Sequence, residues 1–313
     1  MLEGARILVT GGSGFVGPFV IAALREAGCR VRLAQRYAQT VTDGVETIVT
    51  GDLDGAVDWR AALAGVDHVV HLAGLAHAGP GLDEALYRRI NTQATLALAT
   101  AAREAGIGRF VFMSSIKALA GRFDGPPVRD DDVPQPDDAY GRSKLAAEQG
   151  LAALDLDWVS LRPVLVYGPG VKANMAALLK LARLPVPLPL GALTAPRSLV
   201  AGENLAAAVL FALQPACPAR RAYIVADPEP VGVAQMLTAL RAGLGRRAGL
   251  VAVPEALLRF AAGLAGQGQT YAKLSGSLVA QPEALLRAGW RPPTATLPAL
   301  SRLAAADAGR NRE

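Results

Sequence analysis

The chain predicts an α/β fold built on a doubly wound parallel sheet, and three observations predict it. Short β-rich runs alternate with helical patterns through the first half. The first run ends in a glycine-rich turn that opens a helix. A Tyr-x-x-x-Lys pair then follows a serine pair at a strand end. In order, Arg6-Ile7-Leu8-Val9-Thr10 is a strand, and Val16 to Ala27 is a helix closed by Gly28 in the C-terminal stop position. Arg30 to Ala34 is a second strand, and Glu46 to Val49 a third, leading to Gly51-Asp52-Leu53. Trp59 to Leu63 makes a short helix, His68 to Leu72 a fourth strand, and Leu82 to Ala105 one long helix ended by Gly106 and Gly108. Arg109 to Met113 is a fifth strand, Gly121 to Pro136 a loop rich in Gly, Pro, Asp and Arg, and Trp158 to Arg162 a sixth strand.

Beyond Pro163 the pattern is less regular. Pro185 to Pro189 reads as an extended wall, because proline does not sit in a helix interior. Ser198-Leu199-Val200 and Tyr223-Ile224-Val225 read as short strands, and Val233 to Gly243 and Pro254 to Gly263 as helices. The apolar stretch from Leu250 to Gly266, interrupted by Pro254, Glu255 and Arg259, reads as a packed amphipathic helix in preference to a membrane-surface segment. The last ten or so residues read as a frayed tail.

Composition narrows the function. The 313 residues are half hydrophobic and 19% charged, which fits a folded globular chain with a large core. A net charge of +5 without a lysine- or arginine-rich run argues against a nucleic-acid partner. Cys29, Cys217 and three histidines offer no metal spacing and no disulfide framework, so no metal is expected and a reducing, cytoplasmic setting fits. No apolar run reaches the ~18 residues of a membrane span. The first residues run into a strand without the features of a signal peptide.

The chemistry lies in a few motifs. Thr10-Gly11-Gly12-Ser13-Gly14-Phe15-Val16-Gly17 links strand to helix. Its glycines let the backbone approach a pyrophosphate, and the helix start supplies N–H groups and positive potential. Asp52, with Leu53 beside it, can accept from an adenine amino group; an Asx turn is the plainer alternative. The second strand ends in Gln35-Arg36 with no acid to hold ribose hydroxyls, and Arg36 suits a 2′-phosphate, a solvated arginine being the alternative. NADP(H) is therefore the preferred cofactor, with NAD(H) as the alternative. Ser114-Ser115 closes the fifth strand, where a hydroxyl can stabilise charge on a reacting oxygen. Tyr140 and Lys144 stack one helical turn apart, and an ammonium beside a phenol is expected to lower its pKa for proton transfer. Asn91 is either an ordinary polar helix residue or a support for this site.

TGGSGFVG at 10–17, GDL at 51–53, HLAG at 71–74, SSIK at 114–117, YGRSK at 140–144 and LRPVLVYGPG at 161–170 together resemble the extended short-chain dehydrogenase/reductases of the sugar-nucleotide epimerase/dehydratase family. The resemblance implies a Rossmann domain over 1–168 with a return strand near 197–226, and a smaller substrate-binding region from 169–196 and 227–313. It implies a catalytic triad of Ser115, Tyr140 and Lys144. Leu72, Ala73 and Gly74 would pass close to the cofactor, Pro163 would border the nicotinamide, and Ser114 and Val166 would join the cofactor site. Asn174 and Arg197 would meet the substrate diphosphate, with Ser115 at the sugar.

GPGVKAN, PLPLG and RSLV are similar to a subgroup handling UDP-linked amino sugars in polysaccharide assembly. The run Ile116 to Ala120 lacks the acids of a dehydratase. The expected activity is NAD(P)H-dependent reduction of a 4-keto, 6-deoxy UDP-amino sugar. The alternatives are a UDP-sugar 4-epimerase with bound NAD, and a non-catalytic nucleotide sensor. The expected partner is the nucleotide sugar, with a homodimer allowed.

Overall fold

Aliphatic and β-branched runs bounded by glycines form the strands. A computed structural model describes residues 2–38, 44–76, 83–121, 125–171, 173–264 and 266–310. The strands are β1 (Arg6–Thr10), β2 (Arg30–Gln35), β3 (Glu46–Val49), β4 (His68–His71), β5 (Arg109–Met113), β6 (Trp158–Pro163), β7 (Leu165–Tyr167), β8 (Leu199–Ala201) and β9 (Arg221–Val225). Seven of them form one parallel sheet in the order β3-β2-β1-β4-β5-β6-β9, while β7 and β8 pair separately. The chain winds outward from β1 in both directions, so a crevice opens at the carboxyl ends of β1 and β4, the place where such sheets bind ligands.

The helices are α1 (Gly17–Glu26), α2 (Arg60–Leu63), α3 (Glu84–Tyr87), α4 (Ala94–Glu104), α5 (Ala139–Ala152), α6 (Ala173–Arg183), α7 (Gly202–Ala212), α8 (Val233–Gly243), α9 (Glu255–Leu264), α10 (Gly268–Ser275), α11 (Glu283–Ala288) and α12 (Thr296–Arg310). Side chains alternate across the sheet as the pleat requires. Ile7, Val9 and Val111 join α1 and α7 on one face; Leu8, Phe110 and Phe112 join α2, α4 and α5 on the other. A third apolar cluster lies under α6, α8 and α12 and includes Tyr167, Met175 and Leu193.

Four expectations need correction. The long helix over 82–105 is α3, then a π-helical turn over Arg88–Gln93, then α4; its start at Leu82 lies outside the described residues. The tail is helical to Arg310, because Leu300, Leu303 and Ala304 bury against the third cluster. The segment from 250 to 266 is helical over α9 and packs on the third cluster through Leu258, but none of α9's residues is fully buried. The less regular region after Pro163 also contains β7, α6 and α7, none of them expected. Lys172 of the GPGVKAN segment lies outside the described residues.

Candidate active site

The glycine loop takes its shape from close approaches. Gly11 has φ +71°, and a Cβ there would sit 2.5 Å from Ala73 N. A Cβ on Gly17 would sit 2.0 Å from Gly12 O, so α1 packs directly on the loop backbone. Gly14 N donates to Gly11 O and Gly17 N to Gly14 O. Val16 stands at the N-cap of α1 with no side-chain cap, which leaves first-turn N–H groups for an anion. Phe15 rests edge-on against Phe19, and Ser13 is exposed at the loop's outer side.

A cavity of about 150 Å³ runs from this loop to the ends of β2 and β3, with Gly11, Ser13, Gln35, Arg36, Leu53 and Ala73 in its walls. Two buried polar atoms at this edge of the sheet have no protein partner among the described residues: Gln35 Oε1 and Ser114 Oγ. A cradle that Cβ atoms would fill and two waiting polar atoms fit a dinucleotide. Asp52 Oδ1 accepts from Asp54 N at 3.2 Å, the Asx turn that was the plainer reading, and Oδ2 pairs with Arg36 Nε at 3.5 Å. Arg36 is therefore not simply solvated; it shares its charge with Asp52 in an exposed pair.

Between the loop and α5 runs a directed hydrogen-bond chain. Thr10 and His71 are register partners on β1 and β4. Ala73 N donates to Thr10 Oγ1, Thr10 Oγ1 lies 2.7 Å from His71 Nδ1, His71 Nε2 lies 2.9 Å from Thr95 Oγ1, and Thr95 Oγ1 donates to Asn91 O. With each threonine hydrogen used once, the neutral ring carries its proton on Nε2. Full burial, with the charge of Lys144 adding, pushes the His71 pKa down to about 3. Asn91, turned inward by the π turn, accepts from Leu75 N at 2.7 Å and donates to Ser143 Oγ at 3.0 Å. Ser143 Oγ in turn donates to Tyr140 O. Asn91 thus ties the 71–75 segment to the tyrosine helix, the supporting role left open by the sequence. A π turn at such a position is a recurrent functional device.

Ser115, Tyr140 and Lys144 meet at the end of β5. Asp138 caps α5 through Gly141 N at 2.7 Å and pairs with Lys117 Nζ at 2.6 Å. Gly141 lets the helix start sit on the Lys117 backbone, since a Cβ there would lie 2.3 Å from Lys117 O. Lys117 N donates to Ser115 Oγ at 3.2 Å, and the Ser115 hydroxyl hydrogen-bonds the Tyr140 phenol. Lys144 Nζ donates to Met113 O at 2.8 Å and lies 4.6 Å over the Phe112 ring. A Cβ on Gly74 would stand 3.0 Å from that ammonium, so glycine there keeps the 71–74 segment close.

The electrostatics correct one expectation. Burial pushes Tyr140 up to about 12, Asp138 and Tyr87 add to it, and Ser115 pulls back; Lys144 is not among the groups that act. Burial likewise pushes Lys144 down to about 7 against the pull of Glu148. A lysine half-discharged at neutral pH does not offset the desolvation of the phenol, so Tyr140 is a proton-bearing group at working pH.

Of the remaining expected residues, Leu72 is half-buried behind Ala73, Pro163 is buried at the end of β6, and Val166 pairs with Val200 in the β7–β8 ladder. Asn174 is exposed in the first turn of α6. Arg197 is half-buried, donates to Gly276 O at 2.6 Å, and has its pKa lowered by burial.

This sheet and site define a dinucleotide-binding enzyme of the extended short-chain dehydrogenase/reductase type. Residues 7–226 match the model of the NAD dependent epimerase/dehydratase family, and the chain belongs to that family. It is 34% identical over 300 residues to a UDP-glucose 4-epimerase of Vibrio cholerae, covering 92% of this chain and 90% of that one. The fold is similar to that of a UDP-N-acetylglucosamine 4-epimerase from Bacillus cereus, with TM-score 0.77 and 21% identity over 97% of this chain and 99% of that one. It is also similar to the Bordetella bronchiseptica enzyme WbmG in complex with NAD, with TM-score 0.74 and 23% identity over 98% and 95% of the two chains.

Proposed function

We propose that the chain reduces a 4-keto nucleotide sugar, a UDP-linked 6-deoxy amino sugar of polysaccharide assembly, at the expense of NADPH. The observation that carries this reading is the Ser115–Tyr140 hydrogen bond beside buried Lys144, at the sheet edge that also holds the glycine loop. A dinucleotide held by the glycine loop, Gln35, Arg36 and Ala73 would supply the hydride for the carbonyl carbon. Tyr140 Oη gives its proton to the carbonyl oxygen as the C–H bond forms. Ser115, whose oxygen already accepts from Lys117 N, keeps its hydrogen for the phenol oxygen and supports the phenolate left behind. Lys144 would hold a ribose hydroxyl of the dinucleotide and, when charged, would offset the same developing charge.

The cofactor preference rests on Arg36. Its exposed pair with Asp52 is weak and can yield to a 2′-phosphate, which a guanidinium binds more strongly. Neutral Gln35 gives ribose hydroxyls a looser hold than an acid would, which suits a coenzyme exchanged every cycle. After Ser115 the chain presents Lys117, already tied to Asp138, where a dehydratase needs acids. The two free, buried cysteines suit a reducing cytoplasmic setting.

The second reading is a UDP-sugar 4-epimerase, favoured by the name of the V. cholerae relative that matches over 92% of this chain. It uses the same three residues without net coenzyme consumption. Purified protein is to be incubated with a UDP-4-keto-6-deoxy-N-acetylhexosamine and, separately, with UDP-N-acetylglucosamine. The expected result is stoichiometric NADPH oxidation with the first and no UDP-N-acetylgalactosamine from the second. Interconversion without coenzyme consumption replaces the reductase by the epimerase.

A further inference from the structure

Exposed apolar surface is concentrated in one place. Of ten large hydrophobic side chains exposed among the described residues, six fall in two short segments: Leu184, Val186, Val251, Leu257, Phe260 and Leu264. The segments are neighbours. Leu188 N donates to Gly249 O and Val251 N to Leu188 O. Arg241 binds both segments, donating to Leu184 O and Val186 O on one and Ala248 O on the other.

α9 forms the ridge of this face. Leu257, Phe260 and Leu264 are 59%, 67% and 77% exposed. At 3.6 residues per turn they share an arc of roughly 60°. Leu258, about 100° further round, packs on the third cluster and anchors the helix. The helix is thus fixed to the body by one side and bare on the other. Arginines accompany the ridge: Arg246 and Arg247 just after α8, and Arg259 on α9, all exposed and without an ion pair among the described residues. Between 244 and 264 the only acid is Glu255.

We infer that this face is a peripheral docking surface for an anionic phospholipid bilayer. The ridge enters the boundary between headgroups and acyl chains, and the arginines meet lipid phosphates. Among the described residues no helix is long and apolar enough to cross a membrane, so the contact is one of surface. A second copy is the poorer occupant, because it would bring unpaired arginines against each other with a single acid per chain to meet them.

Co-sedimentation of the full chain with vesicles tests this. Vesicles of phosphatidylcholine mixed with phosphatidylglycerol should bind the protein about 10- to 100-fold more tightly than phosphatidylcholine alone, and added salt should weaken that binding. Phe260→Ser with Leu264→Ser should cut binding about tenfold or more, while Arg246→Gln with Arg247→Gln should shrink the anionic preference. Both double variants should keep the native melting temperature and hydride transfer. Absence of binding, or equal binding to neutral and anionic vesicles, overturns the inference. So does a wild-type dimer in sedimentation velocity that Phe260→Ser with Leu264→Ser dissolves, which assigns the face to a second copy.

Discussion

The cofactor edge and the region built on β7, β8, α6 and α9 are made in opposite ways. At the edge, backbone meets backbone: Gly11 on Ala73, Gly17 on Gly12, Gly141 on Lys117. The polar groups around it are mostly buried and linked in one chain from Thr10 to Tyr140. On the other side the strands have three residues each, Asn174 is exposed, and α9 is held through half-buried Leu258 with none of its residues fully buried. The cofactor edge is set by close backbone approach, whereas this region is set by side-chain packing on the third cluster, with the outer face of α9 left bare. The comparison predicts that small changes at the edge are costly and small changes on α9 are not.

The largest effect should come from Tyr140→Phe. It removes the proposed proton donor and keeps the ring against Tyr87, 6.2 Å away. kcat should fall by about 10²–10⁴-fold with cofactor binding intact. Retention of more than a tenth of wild-type turnover would exclude Tyr140 as the donor.

Lys144 gives the next. Its native pKa of about 7 lies below the unfolded value, so between pH 7 and that value the unfolded chain binds the extra proton. Stability of the cofactor-free protein should rise with pH across this window. Tyr140, raised to about 12, reverses the sign above its unfolded value. Melting temperatures from pH 6 to 10 in Lys144→Met should lose the rise, and an unchanged profile would show that Lys144 is not the group responsible.

Arg36 comes third. Titrations should show NADPH binding more tightly than NADH, and Arg36→Ala should narrow the gap by about 1–3 kcal/mol. Asp52→Asn, which frees the guanidinium, should widen it. Equal affinities in the native protein would remove the phosphate contact.

What was legible follows the same division. The loop 10–17 and the strands up to β6 could be read because glycine spacing and β-rich runs express local constraints. The π turn could not, since one extra residue in a turn leaves the apolar pattern of 82–105 almost unchanged. α7 escaped because seven of its eleven residues are buried, which leaves no polar stripe to mark a helix. β7, three residues long, is too short to carry a pattern, whereas β8 was legible as the run Ser198-Leu199-Val200. For α9 the amphipathic signal was present, but periodicity says only that a face is apolar, not whether the rest of the chain covers it. The direction of the Tyr140 pKa was missed for a related reason: burial of the phenol is long-range, while its spacing to Lys144 is local.

The smallest effect is the sharpest test of the two constructions, because it uses the same substitution on both sides. Gly17→Ala puts a Cβ 2.0 Å from Gly12 O, a backbone atom that cannot give way cheaply. The cost should be about 1–3 kcal/mol, with weaker dinucleotide binding because the loop must open to admit the methyl. Gly263→Ala lies within α9, where, the helix's own backbone and chain neighbours aside, no atom of the described residues stands within 4 Å of the added Cβ. There the methyl meets no collision and removes backbone freedom from the unfolded chain, so the variant should gain roughly 0.5–1 kcal/mol. Chemical denaturation of the two variants beside the parent reads both signs. A Gly263→Ala loss comparable to that of Gly17→Ala would mean that α9 is tightly packed in solution, and the contrast between a closed cofactor edge and an open helix would fail.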